Sequence, residues 1–324
     1  MREPVVEAQP PLPKKSRQAK LAPEGRTFAT ANQLGLMDKA RAYFQLLKFR
    51  LSFTVAFSSA LGYLLGVNPR LPVGQRVTQA LLVLLGGLLV TGAANIINQV
   101  FEKDLDKLMQ RTEGRPLPTG RISPTEAWVF CAMLAVAGSA LLVYCFNPLT
   151  AALSLLSLIL YGFIYTPLKT VSPICVAVGA IPGGLPPLIG WVAATGYIGV
   201  PAWVLFGIQF MWQFPHFWAI AWVADDDYKR AGFKMLPSPG LRDLRTAFQI
   251  MTYTVLLVPV SLLPLVLGIS GRISAGIALV CGILFTLLTV QLMRTQDRKS
   301  ALSIMFASFL YLPIVQIALV LDKV

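Results

Sequence analysis

The chain alternates between long apolar runs and short polar segments. Nine runs are about 17 to 25 residues long, the length that an α-helix needs to cross a hydrocarbon layer of roughly 30 Å. They cover residues 51–67, 77–97, 127–146, 149–165, 174–192, 201–223, 248–269, 273–293 and 301–321. No stretch between them is long enough for a soluble domain. The pattern predicts an all-α, polytopic membrane protein whose nine transmembrane helices form one domain, residues 36–324.

Composition agrees with this class. Of 324 residues, 55% are hydrophobic and 13% are charged, whereas about 25% are charged in an ordinary soluble domain. Residues 1–35 differ, because they are rich in Pro, Lys and Arg and have no apolar period; they predict a disordered basic tail. This tail lacks the apolar stretch of a secretory signal, and its three glutamates make it a poor match to a mitochondrial transit peptide.

The net charge of +13 could indicate a nucleic-acid partner, but in a membrane protein the distribution of Lys and Arg matters more than their sum. When the spans are assigned to alternate sides, nearly all of the 28 Lys and Arg residues fall on the side of the N-terminus. We therefore expect a cytoplasmic N-terminus and no nucleic-acid partner. A bacterial inner membrane is the predicted location, with the mitochondrial inner membrane as the alternative.

One group of polar side chains follows the second span, in the segment NQVFEKDLDKLMQRTEGRPLPTG, residues 98–120. Asn98, Glu102 and Asp106 are spaced i, i+4 and i+8, so a helix that continues beyond the membrane would align them on one face, about 6 Å apart. Oxygen ligands in this arrangement suit Mg²⁺, which prefers carboxylates, keeps waters and bridges to phosphate oxygens. Asp104 would point elsewhere and be solvated.

A second acidic group follows the sixth span, where three aspartates precede several bases and a Leu-Pro sequence. The first loop has the same order. In the second loop the acids are Asp225, Asp226 and Asp227 and the bases Lys229, Arg230 and Lys234; in the first the bases are Lys107, Arg111 and Arg115. Because four spans separate the two loops, we expect an internal repeat of helices.

These loops have two interpretations, which imply different functions. In the first, they are ordinary cytoplasmic loops in which acids balance bases. In the second, which the pairing of the two loops favours, the acids hold a diphosphate through Mg²⁺ while guanidinium and ammonium groups bind its remaining oxygens. Tyr165 and Lys169 end the fourth span on the same side. Lys169 is either a third phosphate partner or a lysine that reaches toward lipid headgroups.

These segments resemble the UbiA superfamily of intramembrane prenyltransferases, whose first motif is N-x-x-x-D-x-x-x-D. Within that superfamily, RTEGRPLPTG, YTPLK and WQFPHFW followed by DDYKRAGFKMLP are similar to the branch that farnesylates haem. The similarity covers roughly residues 42–321. It implies a UbiA-like helical bundle with a cytoplasm-facing active-site cavity.

The resemblance also implies residue roles. Asn98, Glu102 and Asp106 would be catalytic and would bind the metal, with Glu102 in place of the superfamily's usual Asp. In the second motif Asp226 and Asp227 would be catalytic, Asp225 and Asp227 would bind metal, and which of the three aspartates faces the metal is left open. The implied diphosphate partners are Arg111, Arg115, Tyr165, Lys169, Lys229 and Arg230.

The second motif departs from the superfamily at His216, the only histidine in the chain, which stands where many relatives have Asp. This departure favours haem over quinone or chlorophyll substrates. His216 is either an axial ligand or acid–base group at a haem pocket, or a hydrogen-bonded interfacial histidine. Trp212 and Phe217 would contact the haem; alternatively they belong to the core or to an interfacial aromatic belt.

The activity that the resemblance implies is transfer of the farnesyl group of farnesyl diphosphate to a vinyl group of haem B, with water addition, giving haem O and diphosphate. Mg²⁺ is the implied cofactor, the lipid membrane is the setting, and haem A synthase is the candidate protein partner. Two alternatives stay open. One is a superfamily member that acts on a quinone precursor or chlorophyllide; the other is a secondary transporter, because repeats and intramembrane charges also mark carriers.

Overall fold

The computed structural model describes residues 35–237 and 241–324, and it is helical almost throughout. The predicted tail therefore lies outside the described residues, apart from Gly35, as do the last three residues of the LPSPG sequence. The helices in chain order are α1 (Leu36–Leu46), α2 (Phe49–Gly66), α3 (Val73–Asp106), α4 (Pro124–Cys145), α5 (Pro148–Ile159), α6 (Thr166–Leu168), α7 (Cys175–Thr195), α8 (Val200–Val223), α9 (Asp225–Arg230), α10 (Leu244–Val266), α11 (Arg272–Thr295) and α12 (Arg298–Leu321).

Each predicted span corresponds to a long helix within the described ranges. Eight of these helices, with α5 and α6 taken together as one, are long and apolar enough to cross a membrane. The ninth, α8, has 24 residues but includes Gln209, Gln213 and His216, which make it less apolar. All three of these polar residues line a central cavity, which explains why a buried helix carries them. The prediction of an all-helical polytopic membrane protein is confirmed.

Polar residues set several helix starts. At α4, the Ser123 hydroxyl accepts from the Glu126 backbone N–H while the Glu126 carboxylate accepts from the Ser123 N–H, so two N–H groups at the helix end are satisfied. At the starts of α10 and α12, the carboxylates of Asp243 and Asp297 each accept a hydrogen bond from one backbone N–H. These caps fix where the chain turns back into the bundle.

The helix α3 is longer than the apolar run that predicts it. It covers 34 residues and ends at Asp106, whereas the run ends at residue 97. The extra two to three turns carry Asn98, Glu102 and Asp106 on one face, as their spacing predicts. The helix thus continues into the acidic segment and brings its oxygen atoms to one end of the bundle.

A π-helical segment interrupts the helix that starts as α5. Leu160–Tyr165 is π-helical and leads directly into α6. Such segments add a residue to a turn and occur mostly at functional sites. Both Tyr161 and Tyr165 line the cavity as a result, with ring centroids 5.2 Å apart.

The helix α7 packs closely against α2, and it also lines the cavity. A Cβ atom at Gly190 would lie 1.8 Å from the Ser59 carbonyl oxygen, so only glycine allows the two backbones to meet there. Prolines 182, 186 and 187 lie inside α7. The cavity is bounded mainly by α2, α3, α5, α7, α8 and α12, while α10 and α11 pack on the outside of α8 and α12.

Candidate active site

The cavity has a volume of about 390 Å³ and differs in chemistry along its length. One end lies where α3 and the α5–α6 helix finish, and it carries carboxylates, lysines and two arginines. Farther in, the lining is mostly apolar and aromatic, with residues such as Val55, Phe57, Leu158, Ile189 and Leu312. A molecule with an anionic head and a long hydrocarbon tail fits this division.

Three oxygen-bearing side chains of α3 form the polar end, and each is matched by one cation. Asn98, Glu102 and Asp106 are at most 5% exposed. Their partners come from three other parts of the chain and are Lys48, Lys169 and Arg115. The buried carboxylates of Glu102 and Asp106 are therefore each paired with a basic side chain, which offsets the cost of their desolvation.

The ion pair of Glu102 and Lys169 is the most enclosed of these contacts. Nζ of Lys169 lies 2.7 Å from Oε1 of Glu102, and the two side chains are 11% and 7% exposed. The same ammonium lies 4.6 Å from the centroid of the Tyr165 ring and 5.7 Å from that of Phe233. Burial alone would lower the pKa of Lys169, but the Glu102 carboxylate and the neighbouring tyrosines outweigh it and raise that pKa above its usual range.

Asp106 is bound by both of its oxygens. Nη1 of Arg115 lies 2.9 Å and 2.7 Å from the two carboxylate oxygens. The hydroxyl of Thr112 donates to the backbone carbonyl of Asp106 at 3.0 Å. The loop after α3 is thereby folded back onto the helix end, so that Arg115, nine residues along the chain, reaches the same face as the carboxylates.

Lys48 is a site residue that the sequence analysis missed. It lies between α1 and α2 with φ 47° and ψ 52°, a left-handed backbone conformation that is uncommon for a side chain of this size. Its amine donates to Oδ1 of Asn98 at 2.8 Å and lines the cavity. Burial, followed by the positive charge of Arg115, lowers the pKa of Lys48 well below its usual range. A signal existed, since Lys48 lies three residues before an apolar run, as Lys169 lies four residues after one.

Thr166 and Gly179 hold Tyr165 and the turn around it. Nδ2 of Asn98 donates to Oγ1 of Thr166 at 3.2 Å, and that hydroxyl donates to the Tyr161 carbonyl at 2.9 Å. The same carbonyl accepts the Thr166 backbone N–H in the π-helical pattern. On the opposite side, a Cβ atom at Gly179 would lie 2.6 Å from the Tyr165 ring. The ring therefore occupies the space that a larger residue in α7 would fill.

The second acidic segment lies at the same end of the bundle as the first. The Lys234 backbone N–H donates to the Lys169 carbonyl at 2.7 Å, and Lys169 in turn pairs with Glu102. Tyr228, Phe233 and Met235 from this segment line the cavity. The two loops of similar sequence thus meet around Lys169, whereas the internal repeat of helices stays a prediction.

The three aspartates of this segment differ in exposure. Asp225 is buried and pairs with Lys229 at 2.8 Å and Arg242 at 3.2 Å, whereas the side chain of Asp226 is 85% exposed. Asp227 pairs with Arg230. Within the described residues, none of the three lines the cavity. Their catalytic and metal-binding roles, and those of Lys229 and Arg230, stay predictions.

Arg111 and Asp104 mark the edge of the site. Arg111 is exposed and lines the mouth of the cavity, where it can approach an anion that enters. Asp104 is exposed and pairs with Lys107 at 2.9 Å, so it points away from the other acids, as the helical spacing predicts.

The donor set of α3 fits a hard divalent cation that keeps other ligands. In the described part of the chain, no three His, Cys, Asp or Glu side chains converge closely enough to enclose a metal by themselves. Mg²⁺ does not require such a cage, because it binds proteins through one or two carboxylates and takes its other ligands from water and phosphate. Glu102 and Asp106, with the amide oxygen of Asn98, would supply those protein ligands.

Some of the aromatic residues near His216 face the cavity and others do not. Trp212, His216 and Phe217 line it. Phe214 and Trp218 instead pack against Tyr253 of α10, with ring centroids 4.2 Å and 5.2 Å apart. The helix α8 therefore presents one aromatic face to the cavity and the other to the outer helices.

Comparison with known proteins agrees with this architecture. A sequence profile of the UbiA prenyltransferase family matches residues 54–312. The chain belongs to the UbiA prenyltransferase family. The resemblance recognised from the acidic segments is thereby confirmed, and the match covers the cavity-lining helices from α2 to α12 rather than the motifs alone.

Similar UbiA-family proteins include several from bacteria. The chain is 53% identical over 289 residues to the protoheme IX farnesyltransferase of Cytophaga hutchinsonii, a match that covers 89% of this chain and 100% of that protein. It is 44% identical over 285 residues to the protoheme IX farnesyltransferase of Flavobacterium psychrophilum, with 86% of this chain and 93% of that protein covered.

Solved structures share the fold of this chain. The structure reported for a digeranylgeranylglyceryl phosphate synthase in membranes has a TM-score of 0.72 at 22% identity, covering 88% of this chain and 99% of that chain. A UbiA homolog from Archaeoglobus fulgidus bound to GPP and Mg²⁺ has a TM-score of 0.63 at 17% identity, covering 86% and 99%. These likenesses confirm the UbiA-like helical bundle.

Proposed function

We propose that this chain transfers the farnesyl group of farnesyl diphosphate to a vinyl group of haem B, with addition of water, and releases haem O and diphosphate. The observation that carries this proposal is the division of one cavity into a charged end and a long apolar and aromatic remainder. The protoheme IX farnesyltransferase of Cytophaga hutchinsonii, 53% identical over its whole length, supports the choice of substrates. The alternatives within the family are a quinone precursor and chlorophyllide.

The charged end suits the diphosphate. Lys48, Lys169, Arg115 and Arg111 supply ammonium and guanidinium donors for its oxygens. When bound there, Mg²⁺ neutralises the negative charge that develops on the departing diphosphate oxygens. The Archaeoglobus fulgidus homolog bound to GPP and Mg²⁺ supports this assignment. Glu102 and Asp106 hold Lys169 and Arg115 in the cavity before substrate arrives, so these donors already lie near the place of the diphosphate oxygens.

The bonds that change can be stated atom by atom. The bond between C1 of the farnesyl group and the diphosphate oxygen breaks, and its electron pair leaves with diphosphate. The vinyl group of haem then uses its π electrons to form a bond to C1. The cation that remains beside the porphyrin ring takes the oxygen of water, and a proton leaves that water. No side-chain nucleophile takes part.

The rings of Tyr161 and Tyr165 would stabilise the allylic farnesyl cation that forms when diphosphate leaves. The Tyr161 and Tyr165 rings lie next to Lys169 at the border between the charged and the apolar parts of the cavity. A ring face attracts a positive charge by about 0.5 to 2 kcal/mol. The fifteen-carbon chain would extend along the apolar lining, where burial contributes roughly 0.8 kcal/mol per CH₂. His216, Trp212 and Phe217 would contact the porphyrin.

The location follows from the loops. A multi-pass protein with most of its Lys and Arg on the side of the N-terminus is oriented with that side in the cytoplasm, and bacterial relatives support the bacterial inner membrane. The N-terminus and the charged end of the cavity would then face the cytoplasm. Docking of haem A synthase stays a prediction.

The test is the mass of the extracted haem after incubation of membranes with haem B, labelled farnesyl diphosphate and Mg²⁺. We expect haem O and free diphosphate. Label in a quinone precursor or in chlorophyllide, with none in haem, would show that the acceptor is wrong. Absence of diphosphate release with every acceptor would favour the transporter.

A further inference from the structure

His216 is a buried group that the proposed mechanism uses only as a contact. It is 7% exposed, lines the cavity and is the only histidine in the chain. It lies seven residues before the end of α8, or about 10 Å deeper than that end at 1.5 Å per residue. It is separate from the ion pairs of the diphosphate end.

The hydrogen bonds around His216 fix which ring nitrogen carries the proton. Oγ of Ser308 donates to the Met305 carbonyl at 2.6 Å. A hydroxyl has a single proton to donate, so Oγ must accept from Nδ1 of His216, 2.8 Å away. The proton of the neutral imidazole is therefore on Nδ1, and Nε2 carries a lone pair.

Three aromatic rings hold the imidazole in one orientation. Trp212 stacks on it with centroids 4.4 Å apart and an angle of 18° between the planes. Phe309 and Phe217 meet it edge-on at 4.9 Å and 5.4 Å. Trp212 is itself fixed, because its indole N–H donates to the Ser308 carbonyl at 2.9 Å. The direction of Nε2 is thus set before any ligand enters.

No described residue forms a hydrogen bond with Nε2. Although it has no partner in the described part of the chain, Nε2 is not fully occluded by protein atoms. It therefore borders open space in the cavity. An oriented lone pair that points into a cavity with aromatic walls can bind a metal ion as well as accept a hydrogen bond. A neutral imidazole whose other nitrogen donates to an oxygen is the common arrangement of a metal-ligating histidine.

We propose that Nε2 of His216 is an axial ligand of the iron of the porphyrin substrate, and that Ser308 is its positioning residue. This inference rests on the proposed function, because it requires haem B as the substrate. The aromatic rings around Nε2 would pack against the porphyrin face. Coordination would hold the macrocycle by its centre and leave the vinyl groups at its edge free to react.

The surroundings favour coordination over general-base catalysis. A base that takes a proton from water becomes an imidazolium, which needs an anionic partner for its other nitrogen, as the aspartate supplies in a Ser-His-Asp triad. Here the partner of Nδ1 is the neutral hydroxyl of Ser308. An imidazolium would be unpaired at this buried position, whereas coordination to iron leaves the ring formally neutral.

The single histidine makes the decisive experiment simple. The full chain, purified through a tag without histidine, would be labelled with ¹⁵N-histidine, loaded with ferrous haem B and examined by resonance Raman spectroscopy. We expect an iron–nitrogen stretching band that shifts with the label. If haem binds and is farnesylated but no band shifts, His216 is not a ligand and the inference is overturned.

Variants separate coordination from packing. We expect His216→Ala to weaken haem binding at least about 10-fold and to leave binding of metal-free protoporphyrin IX unchanged. Equal losses for both porphyrins would overturn the inference in favour of packing. So would unchanged haem binding with a product that lacks only the added water, because that outcome indicates a base.

Ser308→Ala tests the positioning role. It should shift the frequency of the iron–nitrogen band and weaken haem binding by about 10-fold, while Ser303→Ala, on the same helix but bonded only to the Lys299 carbonyl, should change neither. An unshifted band in Ser308→Ala would overturn the role of Ser308. If the unaltered protein prenylates a different acceptor and makes no haem O, the proposed function itself fails, whatever the spectrum.

Discussion

Lys169 donates to Glu102 at 2.7 Å across 67 residues of sequence, and this buried ion pair joins α3 to the segment that follows α6. The same Lys169 accepts the Lys234 N–H at its backbone carbonyl. Three separate parts of the chain therefore meet at one residue. Its side chain offers charge to a substrate, and its backbone helps to hold the two loops together.

Removal of one partner of this pair should destabilise the protein more than removal of both. Lys169→Met leaves the Glu102 carboxylate buried and unpaired, which costs about 3 to 5 kcal/mol, whereas Lys169→Met combined with Glu102→Gln should recover most of that loss. Unfolding in detergent measures the stability. Activity should be absent in both variants. Equal stability of the single and double variants would contradict the pairing.

The carboxylates of α3 should be essential for turnover. Glu102→Gln and Asp106→Asn each remove a charge that the metal–diphosphate site requires, and we expect haem O formation to fall at least about 100-fold while the protein still inserts in the membrane. Asp104→Asn is the matched control, since its side chain is exposed and pairs with Lys107, and it should be mild. If Asp104→Asn reduced haem O formation as much, the face of α3 that carries Glu102 and Asp106 would not be the one that forms the site.

Lys48 should act in diphosphate binding. In Lys48→Ala we expect the KM for farnesyl diphosphate to rise by about 10-fold or more, because a hydrogen bond to a charged group contributes about 1.5 to 3 kcal/mol. The KM for haem should stay unchanged. Arg50→Ala, two residues away and exposed, provides the control. A rise in both KM values would indicate a general distortion of the cavity.

Gly179→Ala should disturb the site through Tyr165. The new Cβ would lie 2.6 Å from the ring, so the ring must shift from its present position beside Lys169, and overpacking of this kind costs about 1 to 3 kcal/mol. We expect loss of turnover with a folded protein. Gly276→Ala is the control, because no heavy atom outside its own helix lies within 4 Å of a Cβ there. Normal turnover of Gly179→Ala would show that the position of the ring is not critical.

The helices and the acidic face of α3 were predictable because both depend on local periodicity. Runs of the right length give the spans, and the i, i+4, i+8 spacing gives the shared face of Asn98, Glu102 and Asp106. The partners of these residues were less accessible. That Arg115 bends back to Asp106 depends on a loop, and that Lys48 reaches Asn98 depends on one residue with positive φ.

The pairing within the second acidic segment was not predictable either. Three consecutive aspartates point in different directions around the short helix α9, so the sequence could not distinguish the buried Asp225 from the exposed Asp226. Likewise, the proton on Nδ1 of His216 depends on Ser308 and Met305, which are about ninety residues away. Such contacts arise only once the helices have packed.

The widened turn at Leu160–Tyr165 makes the alignment of Lys169 depend on how many residues precede it as well as on their types. If the same residues were wound as an ordinary α-helix, the extra residue would rotate everything that follows by about 100°. Lys169 would then leave Glu102 even though no side chain in the site had been replaced. A change that closes this widened turn without removing a residue would therefore inactivate the charged end while all of its chemical groups remain in the chain.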